Sequence, residues 1–241
     1  MVSDISVELP FFPKYETECL YEDKLCVTWF EPNFSQSHYN IQNVNKGSNA
    51  CTLIAILIAA KCNQYKVTMN NPEKCISIKL IVILAESMLE GNSIHDSLKV
   101  SNQLPHINLT IPEALKFAER DAEITEWKSE VFMEPLAFTL HENITKSWIE
   151  WTKFHFESGV SNLYVTLVAD SRTVLFIIQM RSETITLVDS HQHSSDKGAF
   201  IAVVHFSKLK YLCQFYNEAL LKFHNSVPQL YELSFLYSKV Q

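Results

Sequence analysis

The sequence predicts an α+β protein in which an apolar helix packs on an antiparallel sheet. Between Asn49 and Glu157 the chain is dominated by long apolar segments punctuated by helix stop signals. After Gly159 short β-branched and aromatic runs alternate with polar turns, so helices precede a strand meander, which is the α+β order. The composition, 47% hydrophobic with only four glycines, belongs to a tightly packed globular chain. No stretch rich in Pro, Gly or Ser marks a boundary, so a single domain over residues 1–241 is expected.

Met1 to Ser48 reads as extended and loop-rich, with one strand at Leu25–Phe30 closed by Glu31-Pro32; no role is assigned to residues 1–39. Asn49 to Lys61 is an apolar helix, with Ser48 and Asn49 as N-cap candidates behind Gly47. Being apolar on nearly every side, it belongs in the middle of the core. Helices follow at Ile76–Leu89, stopped by Gly91-Asn92, at Ile111–Arg120, where Pro112 suits the first turn, and at Ile144–Glu157. Leu163–Val168, Thr173–Met180 and Thr184–Val188 are the meander, joined by Asp170-Ser-Arg172 and Arg181-Ser-Glu183. Phe200–Phe206 adds a strand and Lys208–His224 a closing amphipathic helix.

Several function classes are disfavoured at once. Scarce glycine leaves no Walker-type or dinucleotide loop. A formal charge of −7 speaks against a nucleic-acid or anionic-membrane surface, which needs clustered Lys and Arg. The apolar runs fall short of the roughly 18 residues of a membrane span. Six cysteines without a CxxC pair, behind a start lacking a signal peptide, predict reduced thiols in a soluble, cytoplasmic or nuclear protein.

Chemistry concentrates in two places. Cys51 lies in the first turn of the buried helix, where unpaired N–H groups and the helix dipole favour a thiolate. None of the other cysteines (19, 26, 62, 75, 213) has this placement. Asp189-Ser-His191-Gln-His193 ends an apolar strand, and its acid and two imidazoles, at alternate positions, leave one face. With a cysteine nucleophile, His191 is the base and Asp189 orients its ring, leaving His193 near the rim of the cleft. A metal reading competes, because Asp-x-His-x-His is also a ligand pattern. Only 48 residues follow His193, however, too few to complete an amidohydrolase-type barrel of about 250 residues. No metal or other cofactor is assigned.

Ser48-Asn49-Ala50-Cys51-Thr52 leading into an apolar helix, with a late strand ending in Val188-Asp-Ser-His191, resembles the papain-fold cysteine proteases. The nearest pattern is the ubiquitin-specific protease at the amino end of herpesvirus large tegument proteins. The resemblance spans roughly residues 40–62 and 163–206 and implies Cys51 as nucleophile, His191 as base and Asp189 as acid. It also implies an upstream oxyanion-hole glutamine, for which Gln42, Asn45 and Asn49 are the candidates. The expected activity is a deubiquitinase-like cysteine peptidase acting on ubiquitin or ubiquitin-like conjugates through an acyl-enzyme. The alternatives are an inactive module that keeps the fold to bind protein, and a metal-dependent hydrolase using Asp189, His191 and His193.

Overall fold

The computed structural model describes residues 9–40, 47–69, 76–155 and 162–238. Eight strands form one sheet: β1 (Tyr15–Leu20), β2 (Leu25–Phe30), β3 (Ile124–Phe132), β4 (Asn162–Ala169), β5 (Arg172–Gln179), β6 (Thr184–Asp189), β7 (Phe200–His205) and β8 (Tyr231–Ser238). Their spatial order is β1-β2-β7-β6-β5-β4-β8-β3, and every neighbouring pair is antiparallel. The helices are α1 (Cys51–Gln64), α2 (Ile78–Val100), α3 (Ile111–Phe117), α4 (Leu136–His155) and α5 (Leu209–His224).

The meander strands read as unbroken apolar runs because both sheet faces are covered. Leu175 and Ile177 of β5 join the core shared with α1, α2 and α3. Their neighbours Val174, Phe176 and Ile178 face the second core, shared with α4 and α5. Helix α1 lies centrally, with residues 51–62 all buried, as its all-round apolarity predicts. Even Lys61 is inside, its ammonium 3.0 Å from Glu86 and 3.1 Å from Glu90 of α2.

Several sequence-based boundaries move. Ala50, not Ser48 or Asn49, is the N-cap of α1, and no side chain caps it. Helix α2 runs through Gly91-Asn92 to Val100 because Gly91 is a packing position and not a stop: a Cβ there would stand 2.7 Å from Ile54 Cγ1 of α1. Helix α4 begins at Leu136, eight residues before the expected start, and its expected end at Glu157 lies outside the described residues. Strands β1, β3 and β8 were not anticipated; β1 and β3 are polar edge strands whose alternation carries few apolar residues. The sheet therefore recruits strands from before and within the helical half. Among the described residues no helix is long and apolar enough to cross a membrane.

Gly91→Ala tests the α1–α2 contact by its sign. Alanine favours a helix over glycine by about 1 kcal/mol, so an uncrowded site would be stabilised. Overpacking against Ile54 instead costs about 1–3 kcal/mol. The expected result is a lower melting temperature, measured by calorimetry.

Candidate active site

The first residue of α1 is Cys51, and the segment leading to it is tied down. Gly47 adopts φ +64, and the Ser48 hydroxyl accepts from the Ala50 N–H at 3.1 Å while donating to Asn92 Oδ1 of α2 at 2.6 Å. Since no side chain caps α1, its N-terminal N–H groups are left to the site, and with the helix dipole they favour an anion there. Across from it, the two-residue β4–β5 turn has both Asp170 (φ 46) and Ser171 (φ 60) left-handed, the geometry of a tight hairpin turn. That turn brings the Ser171 carbonyl to 4.0 Å from Cys51 Sγ, and the Thr52 and Thr173 hydroxyls share a hydrogen bond of 2.9 Å.

The β6 strand ends at Asp189, and the chain then bends so that His191 turns back on the acid. Asp189 Oδ1 accepts from both the backbone N–H of His191 (2.8 Å) and its Nδ1 (2.7 Å). The other ring nitrogen makes no bond to Asp189, and His191 is the group that acts most strongly against burial on the Cys51 thiol. Cys51, His191 and Asp189 are therefore brought together across 140 residues of sequence.

Electrostatics follow from this packing. Burial pushes the Cys51 pKa up, but the hydrogen bond and charge of His191, aided by Thr173, more than reverse it, and the thiol lies below its ordinary value. Burial pulls His191 down, yet the Asp189 carboxylate and the thiolate raise it to about 10. Burial raises Asp189, and the charges of His191 and His193 overturn that to hold it well below the usual carboxylate range. The arrangement favours a thiolate beside an imidazolium. By contrast, Cys62 and Cys213 are pushed up by burial with no such partner and stay protonated.

Of the amide candidates, Gln42 and Asn45 lie outside the described residues, and Asn49 is exposed on the wall of a cavity of about 1080 Å³. The amide that joins the two halves of the site is Gln36, which the sequence reading passed over. It is buried, its backbone N–H donates to Ser190 O (2.8 Å), and its Oε1 accepts from Ser190 Oγ (2.7 Å). Its Nε2 donates to Ser48 O (3.1 Å), and its carbonyl accepts from Asn92 Nδ2 (2.8 Å). Gln36 thus sits between the residue after Asp189 and the residue three before Cys51. Only its position upstream of the cysteine could have flagged it.

His193 is also misplaced by the sequence reading: it is 5% exposed, not at a rim. Its ring packs against Trp29 and Phe200 at 5.3 and 5.0 Å, Nδ1 is 2.9 Å from Gly198 O, and Nε2 is 3.4 Å from Asp189 Oδ2. Both imidazoles thus turn toward the carboxylate and not toward a shared vacant point. Among the described residues no three His, Cys, Asp or Glu side chains are arranged to hold a metal ion.

No family model matches the chain, and no curated protein matches it by sequence. Its fold matches a solved structure, the ubiquitin-specific protease encoded by a murine cytomegalovirus tegument protein, in complex with a ubiquitin-based suicide substrate. That match has a TM-score of 0.50 at 11% identity over 87% of this chain and 85% of the other. The Pseudomonas avirulence protein AvrPphB aligns with a TM-score of 0.44 at 8% identity, over 80% and 95% of the two chains. The architecture is accordingly α+β and papain-like.

Proposed function

We propose that this chain is a cysteine peptidase that cleaves an amide or isopeptide bond, releasing ubiquitin or a ubiquitin-like modifier from lysine. The observation that carries the chemistry is the 2.7 Å hydrogen bond from His191 to Asp189, with the His191 imidazole raised in pKa and acting to lower the Cys51 thiol. In the proposed reaction the Cys51 thiolate attacks the scissile carbonyl and forms a tetrahedral intermediate. Its oxyanion is met by the Cys51 backbone N–H and a Gln36 Nε2 hydrogen. His191 gives its proton to the departing amine, leaving a thioester. Water then attacks the thioester as His191 takes its proton, and the C–S bond breaks, regenerating the Cys51 thiolate and freeing the carboxylate product. Asp189 keeps the His191 ring oriented throughout.

The substrate class is supported by likeness to a protease captured with a ubiquitin-based substrate. A net charge of −7 is compatible with a basic patch on such a modifier. The test is a ubiquitin carrying a C-terminal electrophile. One covalent adduct on Cys51, absent in Cys51→Ala, is expected. Adducts with small electrophilic peptides but none with any modifier would discard the substrate class and keep the chemistry. A wild-type Cys51 unreactive toward iodoacetamide until denaturation would instead favour the inactive binding module.

Gln36→Ala separates turnover from nucleophilicity. Loss of one oxyanion donor lowers turnover by roughly 10²–10³. Cys51 alkylation should fall far less than turnover, because Gln36 is not among the groups that lower the thiol pKa. Steady-state kinetics on a fluorogenic modifier amide, beside alkylation rates, measure both.

A further inference from the structure

The far side of the acid is unaccounted for by the proposed mechanism. Asp189 is 1% exposed, and its two oxygens differ: Oδ1 takes both bonds from His191, whereas Oδ2 has no hydrogen-bond partner. A buried carboxylate oxygen without a bond is costly unless a charge stands beside it. The polar atom recorded next to Oδ2 is Nε2 of His193, at 3.4 Å.

Hydrogen-bond accounting then bears on His193. Its Nδ1 is 2.9 Å from the carbonyl of Gly198, which can only accept, so Nδ1 carries a proton. In the neutral ring Nε2 would then present a lone pair to a carboxylate, acceptor against acceptor. The contact becomes favourable only with a second proton, on Nε2. We infer that His193 is a positioning residue that acts through Asp189: a buried imidazolium set against the far oxygen of the acid, so that the carboxylate lies between two rings and the second cation offsets part of its pull on the His191 proton. This rests on the peptidase reading of Cys51, His191 and Asp189.

The surroundings fit a charge held at this one point. From α5, His224 packs on the His193 ring at 5.1 Å but stays neutral: burial and the nearby Arg172 guanidinium lower its pKa to about 4, and its Nδ1 accepts from Arg172 Nη2 at 3.1 Å. Tyr216, also on α5, is buried and held protonated, chiefly by burial and then by the Asp189 charge. From the start of β5 comes Arg172, and from the turn before it Asp170, which is bonded to Ser226. From α1 comes the Cys51 thiolate, and on the outer side Lys197 lies 4.3 Å over the Trp29 ring and Lys222 beside Phe223. Trp29, Phe200 and Phe223 complete the sleeve around the ring, which excludes water and keeps the interaction strong.

The consequence has a sign. A cation on Oδ2 repels the proton of His191 and attracts the thiolate of Cys51. Removing it should move both limbs of the Cys51 reactivity profile to higher pH. The experiment is iodoacetamide alkylation of Cys51 against pH in wild type, His193→Gln and His193→Phe, with kcat and KM alongside. Both variants should shift both limbs upward by about half a pH unit or more and lower kcat more than KM. Folded variants with unmoved limbs would show that His193 only fills space, and would overturn the inference. Should neither variant fold, nitrogen NMR on the wild-type chain decides: protons on both His193 nitrogens at pH 7 support it, and a lone-pair nitrogen overturns it. Failure of wild-type Cys51 to react below the ordinary thiol range would strike the peptidase reading separately, since the NMR measurement needs no activity.

Discussion

Turnover in the His191→Ala protein is expected to fall by roughly 10⁴-fold or more, the scale seen when one member of a nucleophile–base unit is removed. The larger change lies in the thiol. His191 supplies the hydrogen bond and charge that hold the Cys51 pKa down against burial. Without it burial dominates, as it does at Cys62 and Cys213, where burial alone pushes the thiol up to about 12 and beyond. Alkylation of wild-type Cys51 should persist at pH values below the ordinary thiol value of about 8.5, because its pKa is lowered. In His191→Ala the profile should move to higher pH, past the ordinary thiol value. Coincident alkylation profiles in the two proteins would remove the basis of the proposed mechanism.

The same groups set a pH dependence of stability. Asp189 is depressed, so its contribution is present above its unfolded pKa, near 3.9, and is lost as pH falls. His191 is raised to about 10, so its contribution is full below its unfolded value, near 6.5, and is lost as pH climbs toward 10. Thermal melts should therefore fall off on both sides of neutrality, and His191→Ala should flatten the alkaline side.

Gly198→Ala should produce the largest loss of stability from a single added methyl group. A Cβ at Gly198 would stand 2.6 Å from the Phe34 carbonyl oxygen and closer still to that of Glu31. Both obstacles are backbone atoms, which cannot swing aside as a side chain can. They are also fixed by backbone bonds: the Glu31 oxygen accepts from the Phe34 N–H (2.9 Å) and the Phe34 oxygen from the Ala199 N–H (2.8 Å). The cost is expected at about 3 kcal/mol, the upper end for overpacking, or a fall of roughly 6–12 °C for a chain of this size. Because the Gly198 carbonyl is the partner of His193 Nδ1, the variant should also disturb the Asp189 side of the site. A melting temperature within a degree or two of wild type would show that the 30–36 and 198–199 segments are not locked together.

The parts of the site that could be read from sequence are those whose chemistry is local. Cys51 is marked by its place at the start of an apolar helix, and Asp189 and His191 by two-residue spacing at a strand end. Gln36 was missed because nothing near it in sequence explains it: its partners are Ser48, 12 residues away, and Ser190, 154 away. Gly91 was misread as a stop because glycine after an apolar run signals a helix end equally whether or not another helix presses on it. Strand β1 escaped because an edge strand with Glu16 and Glu18 facing water has little apolar alternation to detect.

By itself, the sequence determined which segments are apolar and with what period, and from that came α1, the β4–β6 meander and α5. Short-range patterns of this kind depend on a residue and its near neighbours, so they survive without knowledge of the fold. Only the tertiary structure decided that the meander is covered on both faces, that Gln36 closes the gap between two distant segments, and that His193 is buried against the acid. Those outcomes are set by contacts between residues far apart along the chain, where burial and the loss of water, not local preference, determine which groups must find partners.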